Sequence, residues 1–257
     1  MLEIGIFGAT GKVGKLLIKE ILQCKKSSLT SVFVRNELQY NIPSSVLITK
    51  DMKSFLDVSG IIIDFSNKEA TENLLQCAFR NPKPLVIGTT GLDKTHFDLI
   101  KKCSKKMPLL YSANMSEGIA VLDKITEILS AKLREYDIEI TEIHHKHKKD
   151  APSGTALALA TTAARVRKLN EESFRFGRNG ECERIKDEIG VLSLRGGDVV
   201  GRHTVGFYND GEYLELTHNA TSRATFAKGA LHAAQWLSKQ QNGLYTMQDI
   251  FDFKITG

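Results

Sequence analysis

The chain has 257 residues, enough for one large or two modest domains whose core needs no disulfide staples. With 42% hydrophobic and 25% charged residues, 20 Gly and only 5 Pro, the composition excludes disordered, collagen-like and membrane-spanning chains. The net charge of +5, from 35 basic and 30 acidic residues, suits an anionic small ligand and falls short of a dedicated nucleic-acid binder. Cys24, Cys77, Cys103 and Cys182 show neither a C-x-x-C pair nor zinc-finger spacing, and read as buried free thiols. The opening MLEIGIFGATG has no basic leader or cleavage site, and no apolar run reaches the ~18 residues of a membrane span. A cytoplasmic location is expected.

Residues 2–7 (LEIGIF) predict a short apolar strand that runs into GATGKVG and then the helical pattern KLLIKEILQCKK. Further strands are predicted at 28–34, 45–49, 60–65, 84–91 and 107–113, with helical patterns in NKEATENLLQCAFRN and LDKTHFDLIKKCSKK between the last three. Strands of continuous Ile, Leu and Val separated by helices require a parallel sheet covered on both faces, so the first ~113 residues read as a doubly wound nucleotide-binding domain. A long helix is predicted over 116–136, an alternating strand over 137–145, and a helix over 152–169 with Ser153 or Thr155 near its cap. The charged stretch 171–188 reads as a surface excursion. Strands at 189–195, 203–208 and 212–218, the last two joined by an NDG turn, indicate a second, mainly antiparallel sheet in a smaller α+β domain. The tail, TFAKGALHAAQWLSKQ and TMQDIFDF, is predicted to be helical and to return to the first domain.

Gly8, Gly11 and Gly14 form G-x-x-G-x-x-G between a predicted strand and a predicted helix, the context in which glycines let a pyrophosphate approach free N–H groups at a helix start. An NAD site places an acid at the end of the second strand for the ribose 2′-hydroxyl, whereas this strand ends in Val34 and Arg35. Arg35, with Lys12, could instead face the 2′-phosphate of NADP. Gly88-Thr89-Thr90-Gly91 and Ser112-Ala113-Asn114-Met115 follow strands at the sheet end where such folds bind ligands, and could line a nicotinamide pocket.

The densest chemical signal is Glu142-Ile143-His144-His145-Lys146-His147-Lys148-Lys149-Asp150, which runs directly into Ala151-Pro152-Ser153-Gly154-Thr155. Imidazoles that shuttle protons and ammonium groups that clamp carboxylates would gather at one strand end, with Gly154 and Thr155 offering helix-start N–H donors. Metal binding by His144, His145 and His147 is disfavoured because the adjacent lysines repel a cation, so no metal is expected. A polyanion patch would interleave aromatic residues, and none is present there.

The ordered set GATGKVG, IDFS, IGTTG, SANMSEG, EIHHKHKKDAPSGTA, RGGDVVGRHT and LTHNATSRATFAKGA, spread over nearly the whole chain, resembles the dihydrodipicolinate reductase (4-hydroxy-tetrahydrodipicolinate reductase) family of bacterial and plant lysine biosynthesis. The resemblance implies a homotetrameric, NADH- or NADPH-dependent reductase of a cyclic dicarboxylate, binding neither nucleic acid nor membrane. Its domains would be a Rossmann domain over 1–114, a substrate-binding and oligomerisation domain over 115–222, and C-terminal helices over 223–257. It assigns His144 as proton donor or acceptor and Lys148 as proton donor, leaving open which one acts, and His145, Gly154 and Thr155 as substrate contacts. Gly8, Ala9, Thr10, Gly11, Lys12, Val13, Gly88, Thr89, Thr90, Ser112, Ala113, Asn114 and Met115 match the cofactor-binding segments, and Arg35 the 2′-phosphate-binding arginine. Many bacterial members carry Glu where this chain has Val34, so NADPH is expected to be preferred; the segment 36–44 is also shorter than the family's usual loop. Two other readings are a Rossmann dehydrogenase of another amino-acid-derived acid and a nucleotide-sensing or nucleic-acid-associated protein.

Overall fold

The computed structural model describes residues 1–253. In chain order its elements are β1 (Leu2–Phe7), α1 (Lys12–Gln23), β2 (Ser27–Phe33), β3 (Leu47–Thr49), α2 (Met52–Val58), β4 (Ile61–Asp64), α3 (Lys68–Arg80), β5 (Leu85–Ile87), α4 (Lys94–Ser104), β6 (Pro108–Tyr111), α5 (Glu117–Lys132), β7 (Asp137–His144), α6 (Gly154–Arg167), β8 (Phe174–Arg175), β9 (Ile189–Arg195), β10 (Gly201–Asn209), β11 (Glu212–Ala220), α7 (Ala224–Leu237) and β12 (Gly243–Tyr245). They fall into two compact units, one of residues 1–117 with the chain from Arg223 onward, the other Gly118–Ser222.

The first unit holds a seven-stranded sheet in the order β12-β6-β5-β4-β1-β2-β3, with every pairing parallel. All four residues of β4 and all three of β5 are buried, as strands covered on both faces require. Phe7, Phe55, Leu74, Leu75, Leu85, Ile87, Ile100 and Leu109 form one core cluster between the sheet and α2, α3 and α4. On the other face α7 packs against α1, and its Gln235 amide donates to Ser27 Oγ at 3.1 Å. The strand order turns back on itself beside β1, so the turns leaving β1, β4, β5 and β6 share one edge, where sheets of this kind bind ligands.

In the second unit the sheet order is β11-β10-β7-β9-β8. β10 pairs antiparallel with β11 and β7 over nine and seven residues, while β7 and β9 run parallel over seven. The sheet is therefore mixed, mostly antiparallel. Asp210 and Gly211, the latter at φ 84°, close the β10–β11 hairpin. Helices α5 and α6 cover one face, over Ile138, Ile140, Ile189, Val191, Val205 and Phe207. The opposite face, with Thr141, Leu192, Leu194, Thr204, Tyr213 and Thr217, is covered by no helix of this unit; Leu194 and Tyr213 are 50% and 67% exposed.

Several details differ from the sequence expectation. Helix α2 was not expected; its seven residues are too few for a periodic signal, and the Asp51 carboxylate starts it by accepting from Ser54 N at 2.7 Å. TMQDIFDF forms only a 3₁₀ turn at Met247–Ile250, because Asp249 folds back onto Thr246 N and Oγ1 at 2.6 and 2.8 Å. The preceding GLY forms β12 at the edge of the first sheet. The 171–188 excursion is anchored: Arg178 and Arg184 both bind Glu139 of β7, and both reach Glu188, which is buried. All four cysteines are free, yet only Cys103 is fully buried: Cys24 sits at the C-terminal end of α1, Cys77 in the last turn of α3 and Cys182 in the 171–188 excursion, all three half-buried; burial pushes the Cys103 thiol up to about 11.

Candidate active site

At the end of β1 the backbone turns through Gly8 at φ 93°, a conformation that suits glycine, and a Cβ there would stand 2.5 Å from the Phe65 carbonyl oxygen. Gly11 N donates to Gly8 O at 3.1 Å, and Gly11 begins α1 without a side-chain cap or an acid in the first turn. The N–H groups of Lys12 and Val13 thus stand at a bare helix start, which fits an anionic pyrophosphate. Ala9 is buried and Thr10 exposed, and Tyr40 donates its hydroxyl to Ala9 O at 2.7 Å.

The neighbouring turns are tied together beneath this one. Asp64, fully buried at the end of β4, accepts from Thr71 Oγ1 at 2.5 Å and Ser66 N at 2.9 Å; burial raises its carboxyl above the usual range against those hydrogen bonds. Thr89 Oγ1 also accepts from Ser66 N, at 3.1 Å, and Gly88 N donates to Asp64 O at 2.8 Å. Thr90 is exposed. After β6, Ser112 Oγ donates to Asn114 O at 2.7 Å and Asn114 Oδ1 accepts from Ser116 N at 2.9 Å. Ala113 is exposed, whereas the Met115 side chain is buried in the core and leaves only its backbone to a ligand.

Beyond β2, Val34 is buried and Arg35 exposed. A cavity of about 490 Å³ opens there, lined by Val34, Glu37, Leu38, Tyr40, Thr49 and Lys50. The strand end itself carries no acid, but Glu37 brings a carboxylate into the adjoining wall, which the sequence reading had not considered.

In the second unit, Ile138, Ile140, Glu142 and His144 of β7 share the face that packs on α6, and the apolar pattern ends in a carboxylate and an imidazole. Glu142 is fully buried, and all its acceptor positions are filled. Oε1 accepts from Ser153 N at 3.0 Å and Arg195 Nη2 at 2.9 Å; Oε2 accepts from His144 Nδ1 at 2.6 Å and Arg195 Nη1 at 2.8 Å. Burial pushes the Glu142 carboxyl up, but the hydrogen bonds from Arg195, His144, Ser193 and Ser153 outweigh it and hold the group down at about 2. Arg195, opposite His144 in the β7–β9 register, also donates to Asp150 O at 2.5 Å, tying the 145–153 loop to the sheet.

Ser153 caps α6, accepting from Ala156 N at 3.2 Å, and its hydroxyl lies 3.1 Å from His203 Nε2. Burial, with repulsion from His144, brings the His203 imidazole down to about 4, so it is neutral at physiological pH. Gly154, exposed, and Thr155 form the first turn of α6 beside this cluster. Lys148 Nζ holds Asp150 at 2.8 Å, and this bond keeps the Asp150 carboxyl low. His145 is half-buried in the same loop, its ring centroid 6.3 Å from that of His147. Among the described residues no cluster of His, Cys, Asp or Glu is arranged to hold a metal ion.

The structure therefore gathers His144, Lys148, Gly154 and Thr155 at one end of the second unit, and the three glycine-rich and Ser-Ala-Asn turns at one edge of the first. The sequence alone assigns no task to Glu142 and does not point to Asp64, Arg195, His203 or the bridge that Ser153 makes between Glu142 and His203. The signal for Glu142 was present: a carboxylate in register with Ile138 and Ile140 on the inward face of a strand.

A parallel sheet with a bare glycine-started helix, and a second unit offering imidazole, ammonium and helix N–H groups, define a pyridine-nucleotide-dependent reductase. Residues 2–115 match "Dihydrodipicolinate reductase, N-terminus" and residues 118–251 match "Dihydrodipicolinate reductase, C-terminus". The chain belongs to the dihydrodipicolinate reductase family. It is 61% identical over 254 residues to the 4-hydroxy-tetrahydrodipicolinate reductase of Helicobacter hepaticus, covering 98% of this chain and 100% of that one. It is 56% identical to the reductase of the same name from Sulfurimonas denitrificans, again covering 98% and 100%. Its fold is similar to that of the dipicolinate-bound dihydrodipicolinate reductase from Paenisporosarcina sp. TG-14, with a TM-score of 0.83 and 22% identity over 98% of this chain and 100% of that one.

Proposed function

We propose that this chain reduces 4-hydroxy-tetrahydrodipicolinate to tetrahydrodipicolinate with loss of water, using NAD(P)H, in the diaminopimelate branch of lysine biosynthesis. The observation that carries this reading is the end of β7, where His144, held by Glu142, stands with Lys148 and the first turn of α6. The curated relatives bear the name of that reaction over the full chain length.

Residues 8–13, Arg35, residues 88–90 and residues 112–115 would hold the cofactor, which would supply a hydride. One proton must accompany it as the hydroxyl leaves as water, and Lys148 or His144 supplies that proton. His145 and the N–H groups of Gly154 and Thr155 hold the two carboxylates, so orientation replaces several kcal/mol of association entropy. Catalysis then rests on fixed donors, and a dianion is what this basic stretch would select. Assay with substrate generated in place by dihydrodipicolinate synthase tests the reaction: NADPH oxidation should depend on that substrate, and oxidation without it would refute the reading.

Cofactor choice forms a finer part of the proposal. Exposed Arg35, with Lys12 at the helix start, supports a preference for NADPH. Glu37 in the cavity wall favours a second reading, in which both cofactors are used because a carboxylate can accept from the ribose 2′-hydroxyl. Arg35→Ala should lower the NADPH rate and spare NADH, while Glu37→Ala should lower NADH use only if the second reading holds. Assembly as a homotetramer, through the helix-free face of the second sheet, is supported by the exposure of Leu194 and Tyr213 there; light scattering at assay concentration tests it. No described helix is long and apolar enough to cross a membrane, and the four free thiols accord with the proposed cytoplasmic setting.

A further inference from the structure

The hydrogen-bond pattern around Glu142 fixes more than the fold of the β7 end. An ionised carboxylate only accepts, so the 2.6 Å bond at Oε2 requires that His144 Nδ1 carry a hydrogen. The other ring nitrogen, Nε2, faces β10 at Gly201, and among the described residues no group forms a hydrogen bond to it. Arg195 spans both oxygens of Glu142 and the Asp150 carbonyl, so the carboxylate is neutralised without being drawn away from His144.

We propose that Glu142 and Arg195 are positioning residues that hold His144 as its Nδ1–H tautomer, making Nε2 the atom through which His144 exchanges a proton during turnover. This rests on the assignment of His144 to proton transfer made above. The charged and titratable groups around the imidazole and its carboxylate are Glu142 on its own strand, Arg195 on β9 and His203 on β10, with the Lys148–Asp150 pair on the loop that Arg195 ties to the sheet and Ser153 at the start of α6. Among the described residues Glu142 alone bonds to Nδ1; His203 packs edge-on against the ring, with centroids 5.2 Å apart. Glu142→Gln keeps the size of the side chain but turns one acceptor into a donor, so four donors meet fewer lone pairs and the imidazole loses its fixed partner. Outer-shell partners of this kind are worth on the order of 10- to 100-fold in metal sites, and a similar loss in kcat is expected here.

The experiment has two arms. In the first, ¹⁵N NMR of the histidine rings in the wild-type enzyme with NADPH bound reads the tautomer of His144, identified by its loss in His144→Gln. A protonated Nδ1 and an unprotonated Nε2 at neutral pH are expected, and the reverse would overturn the proposal whether or not the enzyme turns over. In the second, Glu142→Gln and Arg195→Lys should lower kcat about 10- to 100-fold, leave the KM for NADPH within about twofold, and shift the pH profile of kcat. Unchanged kcat and pH profile in both variants, with His144→Gln inactive, would overturn the positioning role while sparing the assignment of His144. Full activity in His144→Gln would overturn both.

Discussion

Gly201 lies across the β7–β10 pair from His144, so close that a Cβ at position 201 would stand 3.1 Å from His144 Nε2. The imidazole cannot simply move away, because Nδ1 is tied to Glu142 at 2.6 Å. Gly201→Ala should therefore lower kcat/KM for the dicarboxylate by about 10-fold through misplacement of Nε2, with NADPH affinity unchanged. Steady-state kinetics beside NADPH titration checks this, and equal loss of both would point to a general folding defect.

Asp64 makes a comparable prediction for the cofactor side. Its carboxylate fixes Ser66 and Thr71 beneath the turn where Phe65 backs onto Gly8. Asp64→Asn offers one acceptor where two hydrogen bonds are accepted, so the fold should lose about 1–3 kcal/mol and the NADPH Kd should rise several-fold. Urea unfolding and calorimetric titration measure the two effects. An unchanged Kd would show that the β4 turn does not shape the nucleotide site.

Stability should fall in acid in two successive windows. His203 is held at about 4 against an ordinary 6.5, so the unfolded chain takes up its proton first and stability is lost as pH falls from 6.5 to 4. Glu142 is held at about 2 against an ordinary 4.5, so its contribution, present above 4.5, is lost as pH falls from there towards 2. Each is worth on the order of 3 kcal/mol. His203→Asn should make the upper window shallower, with half-buried His218 still contributing there, and leave the lower window in place, which unfolding free energies measured across pH 2–7 would reveal.

Much of this architecture was readable because the buried strands are written as continuous apolar runs. IGIF, IIID and LVI announce a parallel sheet, and the glycines at 8, 11 and 14 mark its first turn. The basic stretch from His144 to Lys149 marks the end of the second unit proposed to handle the anionic substrate. Tertiary relationships were hidden. Arg195 lies 53 residues from Glu142, and only the β7–β9 register brings them together. His203 reads as an ordinary strand residue until β10 sets it opposite Glu142. The short α2 and β12 lack enough residues for a period, and TMQDIFDF reads as helix because its apolar spacing outweighs the local pull of Asp249 on Thr246.

The central claim is that the basic stretch after β7 performs the chemistry while the glycine turn only holds the cofactor. Lys148→Ala, assayed with NADPH and substrate generated in place, tests it most directly, beside calorimetric titration of NADPH. A fall in kcat of about 100-fold or more with NADPH affinity within about twofold is the predicted result. Full kcat in the variant would remove Lys148 from the reaction and leave His144 as the proton donor; full kcat in His144→Gln as well would contradict the account.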